Sequence, residues 1–594
     1  MSKRRHALNP AKVKADMSAL EQHPPREVFL RRLDIRRRLS VALLCILTSA
    51  LLLACYTPFE KWYLAYVALV PWGLAVIGGH KGRWAILWGW LGGVIFWAAG
   101  IYWLTWITLG GYILLILYLG LYWMVAGLLV RRAFQRGWPV WITLPVVWVA
   151  MEYAQSFALW PMLPGDLSGF PWLLLAHSQY SCTRLIQIAD VTGQYGVSFF
   201  IAMVNGTIID ALSQPLFVRA PRGARLTRQI GAALGASIVA AAAFLGYGTY
   251  RLNQETTRLG PTVAVVQQAF PISLSERGAS QQEIFGSHLA ATRSLVGAGC
   301  DLVVWPESML GFGNMDPEYW NGLNPMAYDP ETNELIRTYQ QNLRSLGRLV
   351  SDLDCPLLAG GSMPADQYGQ DNRRYNSALL FGRDESGRLQ IKGRYDKMHL
   401  VPFSECVPYR QSWPWLHRKI RRVVPDVMPQ LEPGKVPVRF TISGQGDKEI
   451  RFAVPICYEG SFARVCRRMV VGGRKKRVDM LINISNDGWF VWRTHAGTEL
   501  DQHLSQYVFR AIEGRVAVVR AVNTGISAYI DSTGRIREEV RHHGKRKMVA
   551  GNIVTKTFVD DRVSLYSLVG DVFAQAVCLA AGAGIMVMFF RRRA

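Results

Sequence analysis

Long apolar runs in the first 250 residues restrict this chain more than any other feature, because about 20 apolar residues in a helix can cross the hydrocarbon core of a bilayer. Half of the 594 residues are hydrophobic, and 20 are Trp. We predict eight membrane spans, at residues 41–56, 62–79, 84–107, 109–130, 138–151, 197–212, 230–247 and 572–590. The fifth is short and contains Pro145, and the sixth contains Asn205 and Asp210. Either of these two could instead be a buried or re-entrant helix.

The net charge of +24 is distributed as in a membrane protein and argues against nucleic acid as a partner. Lys and Arg crowd the segment before the first span and follow spans two, four, six and eight, while the other connections carry few. Positive charge on alternate loops indicates that those loops are cytoplasmic. The predicted order is a basic cytoplasmic segment (1–38), a seven-span membrane domain (39–250), a periplasmic domain (251–568), and a last span with a basic tail (569–594).

The nine cysteines lack the paired spacing of a zinc site, and no H-E-x-x-H sequence is present. We therefore expect no metal and no cofactor. Cys300 and Cys355 each precede a predicted strand, and those strands are expected to be neighbours. A disulfide between them is conceivable, but two buried thiols are the preferred interpretation.

From residue 260 onward, the sequence alternates between β-rich runs and amphipathic helical stretches. The predicted strands are 263–267, one ending near 307, 356–361, 376–381, 389–392, 452–456, 480–484, 516–520 and 526–530. The predicted helices are 282–296, 333–350 and 497–513. This order indicates an α/β layered fold whose sheets are covered by helices.

Three short segments place reactive side chains near predicted strand ends, where α/β enzymes assemble their sites. Glu307 follows a strand in Trp-Pro-Glu-Ser, Lys397 begins the stretch 397–403, and Cys457 follows another strand in Ile-Cys-Tyr-Glu. Considered singly, Glu307 would be interpreted as a surface carboxylate, Lys397 as a loop lysine and Cys457 as a buried core thiol. Together they supply a base for the thiol, a cation for an oxyanion and a nucleophile.

This constellation resembles the nitrilase (carbon–nitrogen hydrolase) superfamily over residues 260–555. The segments 486–490 (Asn-Asp-Gly-Trp-Phe) and 523–525 (Asn-Thr-Gly) are similar to its later strand-end motifs. The resemblance implies an αββα sandwich with a Glu307–Lys397–Cys457 triad. Ser404-Glu405 stands where the family usually has Gly-Glu, a change that keeps the carboxylate.

The placement between membrane spans, and Gly-Phe-Pro-Trp at 169–172, resemble the apolipoprotein N-acyltransferase branch of that superfamily. That resemblance implies an enzyme of the bacterial inner membrane that moves an acyl chain from a phospholipid, through a Cys457 thioester, to the amine of a diacylglyceryl apolipoprotein. One chain suffices for this chemistry. The Tyr458 N–H would assist Lys397 at the oxyanion.

Four further side chains are candidates for supporting roles. Glu405 and Glu459 would orient Lys397 and the nucleophile loop, or else form structural ion pairs. Trp489 and Phe490 would line an entrance for acyl chains, or else belong to an interfacial aromatic belt. A membrane-anchored amidohydrolase and an inactive membrane scaffold are the alternative functions. The segments 309–332 and 472–477 have no assigned role and are expected to be surface elaborations.

Overall fold

A computed structural model of the chain describes residues 26–78, 82–157, 169–217, 224–271, 278–311, 313–365, 373–407, 409–410, 412–422, 431–444, 449–493 and 495–590. Most of the predicted basic N-terminal segment, residues 1–25, therefore lies outside the described part.

The first half of the chain, the helical region, consists of helices, most of which are apolar. The helices are Arg26–Cys55, Ala65–Ala68, Val70–Gly78, Gly82–Gly100, Leu109–Gln135, Val140–Gln155, Thr183–Ile186, Ala189–Thr192, Gln194–Phe217 and Ala224–Leu252, with 3₁₀ turns at Trp62–Leu64, Tyr102–Trp106 and Leu175–Gln179. The prediction of a helical domain is confirmed.

Three segments of these helices are long and apolar enough to cross a membrane: Leu109–Gln135, Gln194–Ser213 and Arg228–Leu252. Shorter apolar helices cover Ser40–Cys55, Trp62–Gly78 and Val572–Met588. The eight crossings and their orientation remain predictions.

The predicted second span is not one continuous helix. Asn205, in the predicted sixth span, forms hydrogen bonds with the backbone groups at the interruption. Asn205 donates from Nδ2 to the Ala65 carbonyl at 2.8 Å and accepts from the Leu69 N–H at 2.9 Å. Asp210 accepts from the N–H groups of Val140 and Trp141 at 3.1 and 2.9 Å. Because helix ends leave backbone groups without partners, these buried side chains serve as caps.

The second half, from Thr257 to Asp560, is the α/β region and contains two six-stranded sheets. The first has the order β16-β1-β2-β3-β4-β5 and the second β15-β14-β13-β10-β7-β6. Strands of the first sheet are β1 (Thr257–Gln267), β2 (Leu302–Val304), β3 (Leu357–Pro364), β4 (Arg374–Arg383), β5 (Leu389–Asp396) and β16 (Gly551–Asp560). Strands of the second are β6 (Arg439–Ser443), β7 (Glu449–Ala453), β10 (Met480–Ser485), β13 (Ala517–Val522), β14 (Ala528–Ile530) and β15 (Ile536–Glu539). Two small hairpins, β8–β9 (Val471–Gly472, Lys475–Lys476) and β11–β12 (Val491–Trp492, His495–Ala496), complete the strands.

Alternating residues along the strands build two apolar cores, as the two-residue period of a strand requires. In β1, Val263 and Val265 belong to the core shared with the second sheet, whereas Ala264 and Val266 belong to the core beneath the covering helices. The α/β sandwich predicted for this region is confirmed. Its helices are Gln281–Arg293, Pro317–Asn321, Pro330–Leu353, Pro414–Arg421, Ala463–Val470, Glu499–Gly514 and Leu565–Val569, and Val572–Phe590 follows them.

Several expectations for the α/β region were incomplete or wrong. Strands β6, β15 and β16 were not predicted. The segment 309–332 is not merely superficial, because Trp320 is buried and its ring stacks on that of Tyr339 with centroids 4.3 Å apart. In the basic insert, Lys476 turns inward and donates to the Arg515 carbonyl at 2.6 Å.

The prediction of two buried thiols at Cys300 and Cys355 is met only at Cys355. All nine carry free thiols, and β2 pairs in parallel with β3, so the strands after Cys300 and Cys355 are neighbours. Cys355 is buried and Cys300 is half-buried.

Candidate active site

Glu307 lies in the turn that follows β2 and packs closely against the neighbouring strand β3. A side chain at Gly360 on β3 would place its Cβ 2.5 Å from the Glu307 Cα, so a glycine there permits the close approach. Oε2 of Glu307 accepts from the Asn486 N–H at 2.9 Å, which ties it to the second sheet. The carboxylate is therefore held between the two sheets.

Lys397 follows β5 and is fully buried, with a side-chain exposure of 1%. Its Nζ donates to Oε1 of Glu405 at 2.9 Å and to Oε1 of Glu307 at 3.4 Å. The structure thus brings Glu307, Lys397 and Glu405 together as expected. A buried ammonium between two carboxylates is compensated on both sides.

Asn376 is a member of this cluster that the sequence analysis missed. Its Nδ2 donates to Oε1 of Glu307 at 2.6 Å and to Oε1 of Glu405 at 3.0 Å. Its position on β4 gave only a weak signal, a polar residue at the start of an apolar strand. The amide therefore bridges the two carboxylates, as the Lys397 ammonium does.

Cys457 begins the 3₁₀ turn Cys457–Ser461, after β7 and the bridge between Ile456 and Ile484. Its φ of 49° lies in the left-handed region, which a residue with a side chain adopts only when its surroundings enforce it. The thiol is close enough to Glu307 and Lys397 for both charges to act on its pKa. The three predicted triad members therefore belong to one electrostatically coupled cluster.

Burial and the charges of this cluster favour a protonated Cys457 thiol, with Glu307 as its candidate base. Burial, reinforced by Glu307 and opposed by Lys397, raises the pKa of Cys457 well above its ordinary value. Burial also raises the pKa of Glu307, an effect that Lys397 opposes. Burial alone would lower the pKa of Lys397, but Glu405 and Glu307 outweigh it and raise that pKa. The arrangement fits a neutral thiol, a carboxyl group that readily takes a proton and a permanent ammonium.

Glu459 organises the backbone around the site. Its Oε1 accepts from Tyr395 Oη at 2.7 Å and from the N–H groups of Met398 and His399 at 2.8 and 3.0 Å. Its Oε2 accepts from the Ile456 N–H at 2.8 Å. Glu459 therefore joins the lysine loop to the nucleophile loop through hydrogen bonds rather than through an ion pair.

Aromatic side chains of the helical region cover the nucleophile loop. The Tyr458 hydroxyl donates to the Gly169 carbonyl at 3.0 Å, and its ring stacks on Trp172 with centroids 6.4 Å apart. Phe490 packs edge-on against Trp103, with centroids 4.8 Å apart. Trp489 is half-buried in the 3₁₀ turn Asp487–Phe490. Gly169 and Trp172 thus lie against the nucleophile loop.

Gln502, which the sequence analysis also missed, links the two halves of the molecule. Its Oε1 accepts from the indole N–H groups of Trp172 and Trp103 at 2.6 and 3.2 Å. Its Nε2 donates to the Gly100 carbonyl at 2.9 Å. These partners lie more than 300 residues away in the chain, so no local pattern could indicate them.

Asp487, Glu499 and His503 form a buried group whose ligand atoms lie within 4.8 Å of one another, a spacing that a metal ion could use. A guanidinium already faces this group, because Arg520 Nη2 lies 3.6 Å from Asp487 Oδ2. A positive side chain at that distance opposes a second cation there. We therefore assign no metal to this group.

Two family descriptions match the sequence: the apolipoprotein N-acyltransferase N-terminal domain over residues 48–207, and the carbon–nitrogen hydrolase domain over residues 262–555. The chain is also similar to a solved amidase from Nesterenkonia sp., at 15% identity and a TM-score of 0.33, over 54% of this chain and 98% of that one.

Relatives that align over nearly the whole chain cover both of these domains. The chain is 30% identical to an apolipoprotein N-acyltransferase of Geobacter metallireducens over 93% of this chain and 95% of that one. It is 26% identical to one of Rhodopirellula baltica over 90% of this chain and 94% of that one. The chain therefore belongs to the apolipoprotein N-acyltransferase family, and its second half matches the carbon–nitrogen hydrolase domain.

Proposed function

We propose that this protein transfers an acyl chain from a membrane phospholipid to the N-terminal amine of a diacylglyceryl-cysteine apolipoprotein, with Cys457 as the nucleophile. The observation that carries the proposal is the buried Lys397 ammonium between Glu307 and Glu405, beside the Cys457 thiol and beneath aromatic side chains of the helical region. The names of the full-length relatives support the substrate class.

The first half-reaction acylates the enzyme. Glu307 takes the thiol proton as the Cys457 sulfur attacks the ester carbonyl, and Lys397 with the Tyr458 N–H stabilises the oxyanion. The C–O bond of the ester then breaks, and Glu307 returns the proton to the departing lysophospholipid oxygen. A thioester on Cys457 remains.

The second half-reaction reverses these roles. The amine of the apolipoprotein attacks the thioester, and Glu307 accepts a proton from the nitrogen. The C–S bond then breaks, and Glu307 passes that proton to the departing sulfur, which releases the N-acylated product and the free Cys457 thiol. Glu405 holds Lys397, and Glu459 holds the two loops, during both steps. The order of release and binding predicts ping-pong kinetics.

We further propose that the α/β region faces the periplasm from the bacterial inner membrane. The alternating basic loops support this orientation, and the apolar helices support membrane insertion. Reporter fusions after Arg228 should report the cytoplasm, and fusions after Arg251 should report the periplasm. The opposite pattern would exclude the orientation.

Intact-protein mass spectrometry tests the proposed chemistry. After exposure to phospholipid, the protein should gain one acyl mass, and the modified peptide should contain Cys457. Cys300→Ala should gain the same mass, because Cys300 lies outside the site. An unmodified protein that still consumes phospholipid would contradict the proposal.

A further inference from the structure

The carbonyl oxygen of Cys457 has two side-chain partners that the mechanism above does not use. The Tyr507 hydroxyl donates to it at 3.1 Å, and Nε2 of His503 lies 3.2 Å from it. Both side chains are buried and lie four residues apart on the helix Glu499–Gly514. Residues at this spacing share a helix face, so one helix presents both groups to one carbonyl.

The surroundings are built to hold Tyr507 in this place. A side chain at Gly460 would put its Cβ 2.0 Å from the Tyr507 hydroxyl, so the turn after the nucleophile leaves room for that ring. On its other side, the Arg520 guanidinium lies 4.6 Å from the ring centroid. The tyrosine is thus fixed between the nucleophile loop and β13.

The groups around His503 indicate which ring nitrogen carries the proton. Nδ1 lies 3.4 Å from Oε1 of Glu499 and 3.5 Å from Oδ1 of Asp487. Burial and Arg520 lower the pKa of His503, while burial and Asp487 raise the pKa of Glu499 well above its ordinary value. Because a carbonyl oxygen can only accept, the contact of 3.2 Å between Nε2 and the Cys457 carbonyl oxygen places the hydrogen of the neutral ring on Nε2.

We propose that His503 and Tyr507 are positioning residues that orient the Cys457–Tyr458 peptide so that the Tyr458 N–H faces the oxyanion. A peptide unit is planar and trans, so its C=O and N–H point in opposite directions, and holding one fixes the other. This inference rests on the proposed acyl transfer.

Acylation and alkylation of the Cys457 thiol together test whether Tyr507 and His503 orient the oxyanion donor or only support the structure in general. Acylation by phospholipid passes through an oxyanion. Alkylation by iodoacetamide forms an S–C bond and expels iodide, with the thiol proton going to Glu307, and no oxyanion arises. In Tyr507→Phe, the maximal single-turnover acylation rate should fall about tenfold, the usual scale for one buried hydrogen bond. The half-saturating phospholipid concentration and the alkylation rate should stay within about twofold of wild type.

The histidine is tested with two substitutions. His503→Gln keeps an N–H donor at a position similar to that of Nε2, whereas His503→Leu removes it. We expect the glutamine variant to retain more acylation than the leucine variant. Combining Tyr507→Phe with His503→Leu should slow acylation about a hundredfold, near the effect of losing one oxyanion donor.

Tyr529→Phe is the matched control, because it removes a buried hydroxyl on β14 that accepts from the Phe558 N–H at 2.9 Å. It should change neither rate. Equal slowing of acylation and alkylation in Tyr507→Phe, or no slowing of either, would overturn the inference. A wild-type protein that is alkylated at Cys457 but never acylated would instead contradict the proposed function.

Discussion

Two groups of buried polar side chains, one in each half of the molecule, have different partners. In the helical region, Asn205 and Asp210 bond to backbone groups where helices break or begin. In the α/β region, Glu307, Lys397 and Glu405 bond to one another. A buried polar side chain that supplies the missing hydrogen-bond partner of a backbone group stabilises the fold. Ionisable side chains that are one another's partners have altered pKa values and can take part in catalysis. Substitutions in the two halves should therefore affect different quantities.

The largest effect is expected at the nucleophile. Cys457→Ala should abolish both the acyl-enzyme and the acylated product, because Glu307 and Lys397 both act on the pKa of the Cys457 thiol, whereas Glu405 and Lys397 are the cluster members that act on that of Cys406. Cys457→Ser should be nearly inactive, since a hydroxyl is a weaker nucleophile with the same base. Product formation by the purified variants measures this effect. Cys466→Ala, which removes a buried thiol on Ala463–Val470, should keep substantial activity.

A large effect is also expected at the base, with a defined pH dependence. Glu307 must be ionised to accept the thiol proton, so acylation should slow as the pH falls through its pKa. Because burial raises that pKa, the acid limb should lie at higher pH than for an ordinary glutamate. Glu307→Gln should reduce the acylation rate about 10²- to 10⁴-fold and remove this limb. A limb that persists in the variant would show that another group is the base.

Matched asparagine substitutions should give the sharpest contrast between the two regions. Asn376→Leu removes a donor that lowers the pKa of Glu307, so its acid limb should move to higher pH. Asn205→Leu instead leaves the Ala65 carbonyl and the Leu69 N–H without their side-chain partner. It should lower the unfolding free energy by about 1–3 kcal/mol and leave the pH profile unchanged. Thermal unfolding in detergent and the pH dependence of acylation measure both effects, and a shifted acid limb in Asn205→Leu would contradict the distinction.

The comparison also explains what the sequence could and could not predict. The clustering of Glu307, Lys397 and Cys457 was predictable because each lies in a short motif near the end of a strand. Glu307 and Lys397 follow strands of the first sheet, and Cys457 follows a strand of the second, so the packing of the two sheets brings them together. Asn376, Gln502, His503 and Tyr507 reach the site through contacts distant in sequence, and none lies in such a motif.

In the helical region, hydropathy located the apolar segments but could not detect the interruption between Ala68 and Val70. An apolar run looks the same whether its backbone hydrogen bonds are continuous or are completed by a distant asparagine. Strands β6 and β15 were missed because they are short and half-exposed, so their apolar content is low.

The fate of the thioester tests the central claim, acyl transfer rather than hydrolysis, most directly. Wild-type protein acylated at Cys457 in phospholipid vesicles should retain its acyl mass, because side chains of the helical region cover the nucleophile loop and limit access of water. Adding a peptide with an N-terminal diacylglyceryl-cysteine should discharge the enzyme, regenerate free Cys457 and yield an N-acylated peptide. Steady release of free fatty acid with no acylated peptide would contradict the account and identify a hydrolase.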